Sequence, residues 1–288
     1  MQTAVTVFFL AILLGMFVPA VRAGLGRWFR GGPRRIFLVP AALTALFAVV
    51  LAASGARSLP FLLLVAAYTF VPAALVYRAR PWLDLVAIFA LWLPVEFTLG
   101  KQLLPQSAWG MANITARGTA VALALFLFLV FRDYQGMKYQ APRQATDFAY
   151  PSIGFATAAP VLIALGLALG FLGPFRMPAP FRAGAFGLLF LKTLVGVAIP
   201  EELLFRGLLQ NWLMQKFGSS YKSLLAAALI FGAAHLNNPP GPLPNWRYMI
   251  LASIAGLIYG RVFWKSSSLL SSAALHALVN SLRHTFFL

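Results

Sequence analysis

The sequence predicts an all-α protein, a polytopic transmembrane bundle of about 8–10 spanning helices with a polar cavity at mid-membrane. Three observations carry this. Of the 288 residues 61% are hydrophobic and only 10% charged, with a mean hydropathy of +0.82, far from the balance of a soluble domain. Apolar runs of spanning length recur along the whole chain, separated by short basic gaps. Two of only six acidic residues stand side by side, Glu201 and Glu202, inside an apolar run from Leu188 to Leu213, where charge is costly and is usually kept for function.

The apolar runs predict helices near Thr3–Val21, Ile36–Ala53, Leu59–Tyr77, Leu83–Leu99, Thr119–Phe131, Ser152–Leu172, Lys192–Gln215, Ser223–Asn237, Tyr248–Phe263 and Leu269–Phe287. Thr119–Phe131 is too short to cross about 30 Å alone, so that helix either starts earlier or spans only in part. The first run lacks a basic leader, and although Val21-Arg22-Ala23 loosely resembles a cleavage site, a retained helix is expected. The run Asn237-Asn238-Pro239-Pro240-Gly241-Pro242 cannot continue a helix and is expected as a connecting loop. No repeat, low-complexity tail or gap large enough for a soluble domain occurs. The expected organisation is an N-terminal set of helices over 1–183 and a functional helix core over 184–288.

The net charge of +17 comes from basic residues that flank apolar segments, so anionic lipid headgroups of the bilayer are the expected partner and nucleic acid is not. With ten helices and both termini outside, the inner connections hold 14 basic residues against 8 outside, as the positive-inside rule requires. An integral, multi-pass protein of a bacterial or archaeal cell membrane is expected. There is no cysteine, which excludes disulfides, thiolate zinc sites and a cysteine nucleophile.

Helix geometry separates the charges around Pro200. Glu202 and Arg206, at i and i+4, share a face and can neutralise each other, whereas Glu201 points about 100° away and has no local partner. His276 and Asn280 repeat the i, i+4 spacing on the last helix, and Phe231 precedes His235 by one turn. Depth links them. Counted at about 1.5 Å per residue from Lys216, Lys222 and Lys265, Glu201, His235, His276 and Asn280 lie at about 22, 20, 17 and 22 Å, in one slab on three helices. His284, near the helix end, is expected at the interface. Glu96 is read as structural, paired with Lys192 or interfacial.

Glu201-Glu202-x-x-x-Arg206, Phe231-x-x-x-His235 and His276-x-x-x-Asn280, in that order, resemble the CAAX prenyl protease 2 and bacteriocin self-immunity family, also called type II CAAX, ABI or CPBP. The resemblance covers roughly Leu188 to the C-terminus. It implies an intramembrane glutamic endopeptidase acting on a membrane-anchored, in some members prenylated, peptide or protein. Carried over by motif, Glu201 activates water, His235, His276 and Asn280 complete the catalytic set, and Glu202, Arg206 and Phe231 support them. The residue chemistry agrees: a carboxylate in an apolar cavity suits a general base, and His or Asn N–H groups can hold an oxyanion. Pro200 can kink its helix and admit water. No metal or other cofactor is expected. The alternatives are a zinc peptidase ligated by Glu201, His235 and His276, without any His-Glu-x-x-His pattern, and a non-catalytic immunity or scaffold protein whose polar residues only stitch helices together. A transporter is disfavoured by the lack of repeated halves.

Overall fold

The computed structural model describes residues 1–239 and 241–287. Among these every regular element is helical. Five helices are long and apolar enough to cross a membrane, and a sixth span results if one bent pair counts as one. The chain divides into two compact units, Met1–Gln135 and Gly136–Leu288; the second takes in one helix upstream of the segment 184–288.

In the first unit the initial apolar run is not one straight helix. It breaks into α1 (Gln2–Gly15) and α2 (Pro19–Arg30), which meet at 93°. Pro19 sits at the start of α2, where its missing N–H costs nothing, and α2 carries Arg22, Arg27 and Arg30, so the chain turns where the sequence becomes basic. Then follow α3 (Leu38–Ala53), α4 (Leu59–Tyr77, its first turn capped by the Ser58 hydroxyl), α5 (Pro81–Glu96) and α6 (Gln106–Phe131). The short run at Thr119–Phe131 is thus the apolar end of a 26-residue helix. Asp84 on α5 makes a two-pronged ion pair with Arg132 at 3.0 and 3.1 Å. Glu96 accepts a hydrogen bond from Trp92 at 3.1 Å.

The second unit holds α7 (Thr146–Ala168), α8 (Ala183–Phe217), α9 (Tyr221–Ala233), α10 (Trp246–Lys265) and α11 (Leu269–Phe286). At 13 residues, α9 is about 20 Å long and does not span alone. It packs closely on α10 because small residues face each other: a Cβ on Gly232 would lie 1.9 Å from the Ser253 hydroxyl, and one on Gly256 would lie 3.2 Å from the Ala228 Cα. The loop after His235 behaves as its prolines dictate, with Pro240 outside the described residues; Asn245 ends it by accepting from the Tyr248 N–H at 3.0 Å, capping α10.

Two polar clamps tie α7 and the segment just before it to the α10–α11 turn. Asp147, 2% exposed, accepts from the Arg143 and Gln144 N–H groups at 2.8 and 3.0 Å and from the N–H and hydroxyl of Ser267 at 2.6 Å each. Lys138 donates to the carbonyls of Phe263, Trp264 and Ser266 at 2.7, 3.0 and 2.8 Å, where the last carbonyls of α10 lack helical partners. Burial lowers the Lys138 ammonium pKa below its usual value, partly opposed by the Asp147 charge. Hydrogen bonds to a charged group are worth about 1.5–3 kcal/mol each. Asp147→Ala strips four of them, so we expect it to lower stability by about 3–5 kcal/mol. Thermal unfolding of the purified variant in detergent checks this.

Candidate active site

The middle of α8 departs from α-helical geometry. Two π-helical stretches, Leu194–Ala198 and Leu203–Gln210, flank the α turn Ile199–Glu202, whose second residue is Pro200. Proline cannot donate to the preceding turn, and widened π turns absorb the mismatch and re-aim side chains, often at functional sites.

The two glutamates point differently, as their spacing predicts. Glu202 is fully buried. Arg206 Nη1 lies 2.9 Å from its Oε1, a close ion pair off the axis of a straight hydrogen bond. The guanidinium is held further by the Gly256 carbonyl, 3.3 Å from Nη2, and by the faces of Phe231 and Tyr259, with its carbon 4.2 and 5.5 Å from the ring centres. Glu201 is one-third exposed, and its ion-pair contact comes from another helix: Oε2 lies 3.8 Å from His276 Nε2.

His276, 3% exposed on α11, bridges the pair. Its Nδ1 sits 3.0 Å from Glu202 Oε1. Since a carboxylate only accepts, Nδ1 is the donor, and in the neutral ring Nε2 presents a lone pair toward Glu201. The Tyr259 ring stacks on His276, 4.9 Å between centres and 20° between planes. His235 follows the same logic: Nδ1 donates to the Phe231 carbonyl at 2.8 Å, which leaves Nε2 free. Phe231 stands between the histidines, 4.8 Å from the His235 ring and 6.0 Å from the His276 ring.

Beside these residues lies a cavity of about 90 Å³. Phe155, Leu162 and Phe171 form apolar walls, and His235, His276, Asn280, Tyr248, Tyr259 and Arg283 supply the polar groups. The cavity thus brings together His235, His276 and Asn280 from the sequence motifs. Glu201 reaches the group through His276 and is not itself part of the cavity wall. His284 is exposed near the end of α11. Among the described residues no three His, Asp or Glu side chains gather closely enough to hold a metal ion, Glu201, His235 and His276 included.

Tyr248, Tyr259 and Arg283 belong to no sequence motif. Arg283 carries a readable signal all the same: it is i+7 from His276 and i+3 from Asn280, on the same helix face. The tyrosines carry none, because α10 bears no motif of its own.

The class defined by this fold and site is a helical integral membrane protein with a buried glutamate–arginine pair, joined through a histidine to a second, more accessible glutamate. Residues 183–282 match the family described as type II CAAX prenyl endopeptidase Rce1-like, and the match takes in all three motifs up to Asn280. No curated protein and no solved structure matches the chain.

Proposed function

We propose that the protein is a membrane-embedded endopeptidase that hydrolyses a peptide bond of a membrane-anchored substrate, with the segment 184–288 as its catalytic core and Glu201 as the base. The carrying observation is the division of labour between adjacent carboxylates: Glu202 is fully buried and committed to Arg206 and His276, while Glu201 is one-third exposed beside the His276 Nε2.

In this reading Glu201 takes a proton as the oxygen of water bonds to the substrate carbonyl carbon. The carbonyl becomes an oxyanion. When the C–N bond breaks, the leaving nitrogen takes the proton from Glu201, giving a new carboxylate end and a new amine end. The tautomers refine the expected part of the histidines. With each Nδ1 already donating, a neutral His235 or His276 offers only a lone pair at Nε2. The Asn280 amide is therefore the oxyanion donor that needs no protonation, and the histidines join it only as imidazolium. Glu202 keeps the His276 ring oriented, and Arg206 balances Glu202. The family match supports peptidase activity of a CAAX type, with a prenylated peptide as the first substrate to try.

The experiment is cleavage of a farnesylated peptide by the purified protein in lipid vesicles made up in H₂¹⁸O. One ¹⁸O atom is expected in the new carboxylate of the upstream fragment. Asn280→Ala should cut turnover by about 10²–10³, the typical loss for one oxyanion donor, with KM little changed. An unchanged turnover in Asn280→Ala would remove that residue from the mechanism.

A further inference from the structure

One end of the first unit is basic with no acid to meet it. Arg22, Arg27, Arg30, Arg34 and Arg35 follow one another closely, and no Asp or Glu precedes Asp84 in the chain, which is itself paired with Arg132. The surroundings of these arginines divide them. Arg35 folds back over α2: its Nη1 donates to the Trp28 carbonyl at 2.8 Å, in the last turn, where helix carbonyls lack partners, and its guanidinium carbon lies 5.5 Å from the Trp28 ring centre. Arg27, Arg30 and Arg34 are exposed, and none of them takes part in an ion pair among the described residues.

The seat of α2 fixes its level in the bilayer. Phe29, 2% exposed, packs edge-on against Phe131, the last residue of α6, at 5.8 Å between ring centres. Phe131 in turn lies 6.3 Å from the ring of Tyr77, the last residue of α4. α2 therefore lies across the ends of two spanning helices and turns 93° from α1, the placement of an interfacial helix. Its flanks suit that place. At about 100° per residue, Val21, Leu25 and Trp28 fall on one side and Arg27 and Arg30 on the other. Val21 and Trp28 are 42% and 41% exposed, and tryptophan is enriched where a membrane meets water. Arg78 and Arg80, exposed just beyond Tyr77, add to the positive charge at this end. An apolar flank beside a basic one matches a lipid with a negative headgroup. We propose that α2 and the turn after it, Pro33–Phe37, form a binding site for an anionic phospholipid, with its phosphate on Arg27, Arg30 and Arg34 and its acyl chains along Val21 and Trp28. The site lies wholly in the first unit and does not depend on the endopeptidase reading.

The test is a titration of the full-length protein in dodecylmaltoside micelles with fluorescent phosphatidylglycerol and phosphatidylcholine of identical chains, read by anisotropy. Phosphatidylglycerol is expected to bind at least about tenfold more tightly, the scale of a few arginine–headgroup contacts. Combining Arg27→Gln, Arg30→Gln and Arg34→Gln should bring the ratio to near one with the melting temperature unchanged, since these side chains are exposed and outside any ion pair. The same loss of charge on the second unit, Lys216→Gln with Lys222→Gln and Lys265→Gln, should leave the ratio intact. Equal affinity for the two lipids in the parent protein overturns the proposal, and this comparison needs no variant to fold. A ratio that survives the arginine triple overturns it, and so does one that falls equally in the lysine triple, because any basic surface would then serve. Glycerol phosphate, a headgroup without chains, should compete at least about 100-fold less well, because each buried CH₂ adds to lipid binding. Competition as strong as that of the lipid would make the ligand a soluble anion and overturn the proposal as well.

Discussion

Glu201→Gln should leave a folded protein with almost no peptide turnover. A positioned general base contributes about 10²–10⁴ in rate, and glutamine is the same shape but takes no proton from water. The loss should appear in kcat, since the amide still fills the site. Stability should change little. Glu201 makes no close ion pair, its single charged contact being His276 at 3.8 Å, and its side chain is one-third exposed, so no large desolvation term disappears with its charge. Turnover at the parent level would leave the polar residues with the helix-stitching role of a scaffold protein.

Glu202→Gln should fail differently, in folding first. Glu202 is fully buried and Arg206 is 2% exposed. Neutralising the carboxylate leaves the guanidinium with the Gly256 carbonyl at 3.3 Å and two aromatic faces, and no negative charge in contact. Removing one partner of a buried ion pair typically costs about 3–5 kcal/mol, because the other charge stays buried and uncompensated. That is a large part of the about 5–15 kcal/mol by which proteins are stable. The His276 ring also loses the charged acceptor that fixes Nδ1 as the donor. We therefore expect a lower folded yield and a lower melting temperature, with any surviving protein slowed because His276 is free to turn. Near-parent stability would mean that the pair is compensated by groups other than those seen around it.

Much of this site is legible in the amino-acid sequence. The i, i+4 spacing puts Glu202 on Arg206 and leaves Glu201 facing elsewhere, and the depth count puts His235, His276 and Asn280 near one level; the three do line one cavity. The helices are legible where turn chemistry marks their ends: Leu59–Tyr77 has the predicted bounds, with Ser58 as its cap. Legibility fails where the backbone departs from regular geometry. The π turns around Pro200 have no hydrophobic period of their own, and the 93° break at Pro19 falls inside the stretch Thr3–Val21 that reads as one apolar run. The start of α6 is hidden because Gln106–Arg117 reads as too polar to span. Contacts between helices are invisible as well. The Asp147 clamp joins residues 120 positions apart, and Glu201 meets His276 only because α8 and α11 pack together.

The most direct measurement compares Glu201→Gln and Glu202→Gln side by side, purified in the same vesicles, for peptide turnover and melting temperature together. The account predicts a crossed pattern: Glu201→Gln melts like the parent but turns over at least about 100-fold more slowly, whereas Glu202→Gln melts well below the parent. The reverse pattern, with Glu201→Gln active and unstable and Glu202→Gln stable and inactive, would contradict it.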